Sequence, residues 1–390
     1  MVALKLASAQ ALLGHDVRVL IYRNGTSGDD AGVLGVGLPG VERVQIHHAS
    51  EEDWLERLTG RRAGQVASSV VSGECVFHLH GVWERMLLSV ARVAQAKARG
   101  YVVTPHGMLD PWSLQQSWWK KKLALTAGVR AMLSEAMFLH FLNERERELA
   151  GPLGLTAPTE VIPNGIFESE VAALPPPGTF RRAFPVLGDR PYVLFLSRLH
   201  YKKGLDVLVD AFERVSGEFP SLMLVVAGPD GGAGEGFRGE VDRRGLRDRV
   251  VLTGPLYGEL KMAAYAEAAA FCLPSRQEGF SMAILEALGV GVPCVVTQAC
   301  NFPEVETSGA GVSTPLCAKA FADGMRAVLR DALASPAARA AIGQRGRSLV
   351  LSKYTWPRVA EQMLETYVRY TGRTGGSPRH GVAAYPLLVS

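Results

Sequence analysis

Residues 191–212 read PYVLFLSRLHYKKGLDVLVDAF, a continuous apolar run followed by a basic loop and a helical pattern. An uninterrupted apolar run predicts a strand buried on both faces of a parallel sheet. The same strand-then-helix alternation recurs on both sides of this stretch and predicts an α/β fold. We predict strands at 17–22, 42–47, 75–80, 101–104, 137–142, 160–163, 191–197, 222–228, 250–254, 269–274 and 293–297.

The predicted strands fall into two series separated by a stretch rich in proline and glycine. We interpret this stretch, 173–190, as a linker. It would join an amino-terminal domain (1–172, completed by a final helix at 355–371) to a carboxyl-terminal domain (191–354). Residues 372–390 are predicted to form a loosely ordered tail. The whole is an α/β fold of two doubly wound, Rossmann-like domains facing a cleft, with ligands at the carboxyl ends of the strands.

The amino end departs from the usual start of such a domain. Residues 3–13 already have helical spacing, and Gly14 ends that helix. A central strand and a glycine-rich loop normally come first. Either the true start lies upstream, or this form of the domain lacks its first strand.

Bulk properties exclude several classes of protein. The net charge of +4 is too weak to predict nucleic-acid binding. The five cysteines have no C-x-x-C spacing, which indicates free thiols and a cytoplasmic location. The chain has no apolar stretch long enough to span a bilayer. It also has no D-x-D pair and no His/Cys cluster with ligand spacing, so no metal site is predicted.

Two glutamates bracket the stretch EGFSMAILE at 278–286. On one helix they would lie roughly 12 Å apart, too far for the roughly 5 to 9.5 Å of a glycosidase carboxylate pair. We place Glu278 on the loop after a strand, where Gly279 permits close approach of a ligand. Glu286 would lie two turns further, within reach of a ribose hydroxyl. Surface helix charges explain the two glutamates equally well. The intervening helix, whose first N–H groups suit a phosphate, would begin with Phe280, Ser281 and Met282.

Two cations stand on the predicted strand-to-helix loop SRLHYKKG. Arg198 offers a fork of donors and Lys203 a point charge. Together they could neutralise a diphosphate leaving group without a metal, because they would stabilise charge that develops as the bond breaks. A solvated basic loop is the alternative interpretation.

Several of these stretches carry a family resemblance. SRLHYKKGLDVLVDAF, LMLVVAGPDGG, VVLTGPL, FCLPSRQEGFSMAILEALGVGVPCVV and VIPNGI resemble the family-four retaining glycosyltransferases of the GT-B fold, and the resemblance covers most of the chain. HLHGVW, TPHGMLDPWSL and WWKKK are similar to members that build bacterial exopolysaccharide or lipopolysaccharide. The resemblance implies sugar transfer from a nucleotide-diphosphate sugar to a glycan or lipid-linked acceptor, with no metal and no cofactor.

The resemblance also implies roles for individual residues. Arg198 and Lys203 would grip the diphosphate of the donor. Glu278 would touch the sugar, and Glu286 would hold the ribose. Backbone N–H groups of 279–282 would meet the distal phosphate.

Further roles concern the nucleobase and three histidines. The base would pack near Pro255 and Leu256. His106 would lie near the reacting sugar as an orienting hydrogen-bond group, although a histidine that caps a turn fits the sequence equally well. We expect His80 to be structural or on the acceptor side, and His78 to lie in the core.

Other readings of the sequence remain open. Trp and Lys in WWKKKLALTAGVR (118–130) could contact the membrane headgroup region, or form an ordinary helix with a solvated basic face. A sugar-nucleotide epimerase would share the fold but would need acid and base groups that the sequence does not reveal. A non-catalytic nucleotide-sugar-binding remnant is the third reading, because the amino domain could lack its acceptor site.

Overall fold

The computed structural model describes residues 1–23, 37–50, 54–71, 73–372 and 385–389. It divides the chain into two compact α/β units. The first unit contains Met1–Gly165 and Trp356–Ser390, and the second contains Ile166–Thr355. Each unit has its own sheet and its own hydrophobic core.

The first unit is built on a seven-stranded parallel sheet of order β2-β1-β13-β3-β4-β5-β6. Its strands are β1 (Val17–Arg23), β2 (Val44–Ser50), β3 (Cys75–His80), β4 (Gly100–Thr104), β5 (Phe138–Phe141), β6 (Thr159–Val161) and β13 (Tyr385–Val389). Its α-helices are α1 (Val2–Leu12), α2 (Trp54–Thr59), α3 (Arg61–Val70), α4 (Arg85–Ala96), α5 (Pro111–Gln115), α6 (Trp118–Ala124), α7 (Arg130–Ser134), α8 (Glu144–Ala150) and α18 (Trp356–Thr371). A π-helical turn, Leu125–Val129, joins α6 to α7.

The second unit has a six-stranded parallel sheet of order β12-β11-β10-β7-β8-β9. Its strands are β7 (Tyr192–Leu196), β8 (Met223–Ala227), β9 (Val250–Gly254), β10 (Ala270–Leu273), β11 (Cys294–Thr297) and β12 (Gly311–Thr314). Its α-helices are α9 (Glu168–Ala172), α10 (Thr179–Ala183), α11 (Leu205–Ser216), α12 (Gly234–Arg243), α13 (Gly258–Glu267), α14 (Met282–Val290), α15 (Glu304–Thr307), α16 (Ala318–Ala334) and α17 (Pro336–Lys353).

The continuous apolar runs form central strands, as predicted. The whole of β8 and of β10 is buried, and so are the first four residues of β7. Helix α11 buries Leu205, Leu208, Val209, Phe212 and Val215, the spacing of one helical face. The predicted α/β class with two doubly wound units is confirmed.

The stretch predicted to be a linker, 173–190, belongs to the second unit. It contains α10 and a 3₁₀ turn, Pro185–Leu187, and the side chains of Phe180 and Leu187 are fully buried. The carboxylate of Glu267 accepts from the backbone N–H of Phe180 at 2.9 Å. Buried aromatic and apolar side chains anchor this stretch to the core in spite of its prolines. The unit boundary therefore falls at Gly165, not at residue 172.

The predicted loosely ordered tail also needs correction. Residues 373–384 and 390 lie outside the described residues, but β13 pairs in parallel with β1 on one side and β3 on the other. A strand from the carboxyl end therefore occupies the central position where the sequence predicted a missing first strand. If β13 is counted as strand 1, then β1 becomes strand 2 and β2 becomes strand 3. The strand order is then the usual doubly wound order 3-2-1-4-5-6, with β6 as one further strand at the end.

Candidate functional site

The predicted donor residues lie on loops that follow two neighbouring strands of the second sheet. Strands β7 and β10 are adjacent and parallel, so their carboxyl ends meet at one edge. The chain continues from β7 to β8 and β9 on one side, and then returns to β10 on the other. Ligands of doubly wound folds bind where the strand order reverses in this way. The sequence and the topology therefore indicate the same place.

A partly buried ion pair joins the two loops at this edge. The ammonium of Lys203 donates to both carboxylate oxygens of Glu278, at 2.6 and 2.8 Å. The hydroxyl of Ser275 donates to the same carboxylate at 2.5 Å. The Lys203 and Glu278 side chains are only 16% and 8% exposed. The structure thus brings together two residues that the sequence predicted separately, and sets a cation and an anion side by side.

Close packing and a second ion pair fix the two loops against each other. Gly204 has a φ of 68°, and a Cβ there would lie 2.0 Å from the carbonyl oxygen of Pro274, so only glycine fits. Arg276 donates to both oxygens of Asp206 at 2.8 and 2.6 Å. Its guanidinium also lies 4.4 Å from the ring centre of Tyr201. The loop that carries Lys203 is therefore held in one conformation.

The loop after β7 is electropositive. Arg198 is exposed, and its guanidinium has no hydrogen bond or ion pair with any residue that the structure describes. Burial, and then the charges of Arg198, Lys202 and Lys203, lower the pKa of His200 on the same loop. A cation that is unpaired in a positive loop is suited to binding an anion.

Helix α14 begins two residues later than predicted. Ser281 is its N-cap, with its side chain accepting weakly from the N–H of Ile284 at 3.5 Å. Phe280 and Ser281 therefore precede the helix, and Met282 is its first residue. The Phe280 ring centre lies 5.6 Å from that of Phe302, so its side chain belongs to an aromatic cluster. Its backbone N–H, and not its side chain, is the candidate for binding a phosphate.

The second predicted glutamate is held by partners on helix α13. Lys261 donates to one oxygen of Glu286 at 2.8 Å, and the hydroxyl of Tyr265 donates to the other at 3.3 Å. The side chains of Lys261 and Glu286 are 25% and 13% exposed. Burial, and then Glu286, raise the pKa of Tyr265 well above its usual value, so its hydroxyl stays protonated and donates. Glu286 is therefore held by two donors and is not a solvated surface charge.

The predicted base-binding position lies on the loop between β9 and α13. The side chain of Leu256 is 8% exposed and belongs to the core of the second unit, whereas Pro255 before it is exposed. Strand β9 is separated from β7 only by β8. The loop is therefore on the same edge as the ion pair.

His106 lies in the first unit, on the turn that follows β4. Its φ of 51° is in the left-handed region, which is uncommon for a residue with a side chain. The buried carboxylate of Glu146 braces this turn by accepting from the N–H groups of Gly107 and Leu142. The Nε2 atom of His106 lies 2.9 Å from Nδ1 of His80. Burial lowers the pKa of His106 to about 4.

The third of the predicted histidines is in the core. His78 is fully buried, as expected, and hydrogen-bonds to Tyr367 and Thr104 at 2.6 and 2.5 Å. The oxygen of Thr104 lies 2.8 Å from Nδ1 of His140, whose Nε2 lies 2.7 Å from the carbonyl oxygen of Ile162. A chain of buried polar groups thus links β3, β4 and β5 to helix α18.

Sequence reasoning missed the residues that support the site. Lys261 and Tyr265 are four residues apart, so they share one face of a helix, and this spacing could have predicted a common partner. Ser275 and Asn301 gave no such signal. Asn301 donates its side-chain N–H to the carbonyl of Glu278 at 2.8 Å, although 23 residues separate the two.

The described part of the chain lacks two features. It contains no group of three or more His, Cys, Asp or Glu side chains placed to hold a metal ion. None of its helices is both long and apolar enough to cross a membrane.

The two doubly wound units match solved structures of the GT-B fold. The sucrose-phosphate synthase of Thermosynechococcus elongatus superposes with a TM-score of 0.72 at 20% identity, covering 95% of this chain and 92% of that one. The Anabaena HepE protein, solved with UDP and glucose, gives 0.70 at 17% identity, covering 90% and 100%. At these identities the likeness establishes the fold alone.

Sequence comparisons identify the family. Residues 1–165 match the family described as glycosyl transferase 4-like domain, and residues 178–349 match glycosyl transferases group 1. A GDP-mannose-dependent phosphatidylinositol monomannoside mannosyltransferase of Mycolicibacterium smegmatis is 29% identical over 67% of this chain and 68% of its own. A glycogen synthase of Mycobacterium tuberculosis is 30% identical over 58% and 52%. The two matches together span most of the chain, which is therefore a glycosyltransferase of the GT-B fold.

Proposed function

We propose that this chain is a metal-independent, retaining hexosyltransferase that takes its sugar from a nucleotide-diphosphate donor. The acceptor is a glycan or a lipid-linked glycan of cell-surface polysaccharide synthesis, reached from the cytoplasm. One observation carries the proposal: the Lys203–Glu278 pair at the edge where the strand order reverses. A partly buried cation fixed beside a carboxylate suits a ligand that carries both a diphosphate and a sugar.

The cations of the loop after β7 bind the diphosphate. Arg198 supplies an unpaired fork of donors, and Lys203 supplies a point charge that Glu278 already holds in place. Negative charge grows on the diphosphate as its bond to the sugar breaks. Fixed cations stabilise that charge without reorganisation, so they lower the barrier.

The two glutamates position the donor. Glu278 accepts hydrogen bonds from the sugar, and Glu286 accepts from the ribose hydroxyls. The backbone N–H groups before α14, at Gly279, Phe280, Ser281 and Met282, approach the distal phosphate. Leu256 and Pro255 form one side of the base site.

The transfer step retains the configuration at the anomeric carbon. The acceptor oxygen forms its bond to that carbon on the face from which the diphosphate departs. The carbon–oxygen bond to the diphosphate breaks with its electron pair on oxygen. The acceptor proton passes to that departing phosphate oxygen. In the first unit, His106 offers a hydrogen bond to a sugar hydroxyl.

A transfer assay tests the proposal. The purified protein is incubated with GDP-mannose, UDP-glucose or ADP-glucose and a panel of glycan and lipid-linked acceptors, with and without EDTA. We expect one donor to give a product of retained anomeric configuration, at a rate that EDTA does not change. Conversion of the free donor to its epimer in the absence of an acceptor would show that the protein is an epimerase and not a transferase. No reaction with any donor would contradict the proposal.

We also propose that helix α6 contacts an anionic membrane surface. Trp118, Trp119 and Leu123 are 61%, 57% and 61% exposed, an unusual amount of apolar surface on one short helix. The ammonium groups of Lys120 and Lys122 lie 5.4 and 5.9 Å from the two indole rings. Aromatic side chains flanked by lysines suit the interface of an anionic membrane.

Vesicle sedimentation tests this contact. We expect the protein to bind vesicles of mixed phosphatidylglycerol and phosphatidylcholine at low salt, and to bind far less when Trp118 and Trp119 are both replaced by Gln. Trp54→Gln is the matched control, because Trp54 is 71% exposed on α2, a helix that contains no lysine. Failure of the wild-type protein to bind these vesicles would refute the contact.

A further inference from the structure

The hydrogen bond between His80 and His106 constrains the protons of both rings. His80 ends β3 and is 8% exposed, whereas His106 lies on the turn after the neighbouring strand β4. Nδ1 of His80 and Nε2 of His106 are 2.9 Å apart. The two rings stack with centres 5.1 Å apart. A neutral imidazole has one donor and one acceptor nitrogen, so one of these two atoms carries the shared proton.

The second nitrogen of His80 decides which atom that is. Nε2 of His80 is buried and has no hydrogen-bond partner among the described residues. If Nε2 carried the proton, a buried N–H donor would be left without an acceptor, which is rare and costly. If Nδ1 carries it, only an acceptor lone pair is left unmatched. The favoured arrangement therefore has His80 Nδ1–H donating to His106 Nε2.

This arrangement fixes the tautomer of His106 in turn. Nε2 of His106 accepts, so the proton of the neutral ring is on Nδ1. Nδ1 of His106 makes no hydrogen bond to the described residues and is not among their buried unpaired atoms. It is therefore the nitrogen that His106 can present to a ligand.

Burial keeps both rings neutral, because it lowers the pKa of His80 well below its usual value and that of His106 to about 4. The polar groups packed beside them form a neutral chain. The carbonyl of Ile162 can only accept, so His140 donates from Nε2 and accepts at Nδ1 from Thr104. Thr104 then accepts from Nε2 of His78, which in turn accepts from the hydroxyl of Tyr367. His78 stacks on His80 with ring centres 4.4 Å apart. The proton positions along this chain are determined from end to end, and a charge on any member would break it.

We propose that His80 is a positioning residue that holds His106 as its Nδ1–H tautomer, so that His106 presents a hydrogen-bond donor and not a base. The function assigned to that donor, a hydrogen bond to a sugar hydroxyl, rests on the proposed glycosyl transfer. The tautomer itself does not depend on that function. His80 acts only through His106 and needs no contact with the substrate.

Nitrogen-15 NMR of the whole protein, labelled at histidine, tests the proposal. Long-range proton–nitrogen spectra distinguish the two tautomers, and the His106→Gln spectrum identifies the His106 signals by their loss. We expect wild-type His106 to be protonated at Nδ1 and unprotonated at Nε2. A proton on Nε2 of wild-type His106 would overturn the proposal.

Two substitutions of His80 separate positioning from a structural role. His80→Asn keeps a side-chain N–H near the place of Nδ1, whereas His80→Phe keeps the ring and removes the donor. We expect the Asn variant to keep the tautomer and the Phe variant to lose it, with kcat falling about tenfold, the effect of one lost hydrogen bond. An unchanged tautomer or rate in a folded His80→Phe protein would overturn the proposal. If no donor supports transfer in the wild type, the proposed function fails, and the spectra still decide the tautomer.

Discussion

At the residue scale, Lys203 and Glu278 form an ion pair that could serve the fold, the chemistry or both. Their side chains are 16% and 8% exposed, so removing one partner leaves the other as an uncompensated charge. Breaking such a pair costs about 3 to 5 kcal/mol, whereas replacing both charges is often neutral. Stability and activity therefore respond differently to single and double variants.

We predict that Lys203→Met and Glu278→Gln each lower the melting temperature and abolish transfer. The double variant Lys203→Met/Glu278→Gln should regain most of the stability, because no unpaired charge remains, but none of the transfer. Calorimetric melting and the transfer assay measure the two effects. Lys319→Met is the matched control, because Lys319 is 78% exposed and should leave both unchanged. A double variant that recovered activity would show that the pair is only structural.

Lys261 is a second residue for which the structure assigns a role that the sequence did not indicate. Its ammonium holds Glu286 at 2.8 Å, leaving Tyr265 as the other donor. We predict that Lys261→Met weakens binding of the donor nucleotide several-fold, because Glu286 becomes free to leave its position. Calorimetric titration measures the dissociation constant, again with Lys319→Met as control. Equal affinity in the two variants would contradict the role of Lys261.

At the scale of elements, β13 occupies the centre of the first sheet. Without it, β1 with β2 would be separated from β3 and the strands beyond it, and two rows of backbone groups would lose their partners. Unpaired backbone groups at a sheet edge are costly when buried and prone to aggregation when exposed. The five residues of β13 therefore hold the two halves of this sheet together.

We predict that truncation after Thr371 destabilises the first unit and not the second. Hydrogen exchange of the truncated protein should accelerate in β1 and β3, which flank the gap. Strands β7 and β10 of the second unit are the internal control, and their protection should be unchanged. Wild-type protection of β1 and β3 after truncation would contradict the central position of β13.

The elements differ in how far the sequence could predict them. Buried strands such as β8 are continuous apolar runs and were predicted to within a residue or two. Strand β12, Gly311–Thr314, is only partly buried and carries too weak an apolar run to be recognised. Strand β13 was missed because its partners are hundreds of residues away in the chain. The stretch around Phe180 was wrongly predicted to be a linker because it is rich in proline and glycine. The burial of the Phe180 side chain could not be recognised from the sequence.

At the scale of the whole molecule, the buried histidines make the first unit sensitive to acid. Burial lowers the pKa of His140 to about 4, and that of His78 also falls well below its usual value. An unfolded histidine binds a proton below about pH 6.5, whereas folded His140 binds one only below about pH 4. Between these values the unfolded chain holds more protons, so stability falls as the pH falls.

We predict that the first unit loses about 2 kcal/mol of unfolding free energy between pH 7 and pH 5 from His140 alone. Urea unfolding at the two pH values measures the loss. His140→Gln should reduce the pH dependence, although it also removes hydrogen bonds at both pH values. His48→Gln is the control, because His48 is exposed and should leave the dependence as in the wild type. Equal pH dependence in the His140 and His48 variants would contradict the prediction.

The candidate site was predictable to different depths. Arg198, Lys203, Glu278 and Glu286 stand in short motifs whose spacing and family resemblance indicated a donor site. Their mutual geometry was not predictable, because it depends on β7 and β10 being neighbours, which is a property of the sheet order. The His80–His106 contact likewise depends on the pairing of β3 with β4.

The central claim is that the second unit holds a nucleotide-diphosphate sugar at the edge marked by Lys203 and Glu278. Its most direct test is calorimetric titration of a panel of nucleoside diphosphates and their sugars into the wild-type protein and Glu286→Ala. We predict that one nucleotide binds the wild type and binds the folded variant at least about tenfold more weakly, since a hydrogen bond to a charged group contributes about 1.5 to 3 kcal/mol. Binding that is equal in both proteins, or no binding to a folded wild type, would contradict the claim.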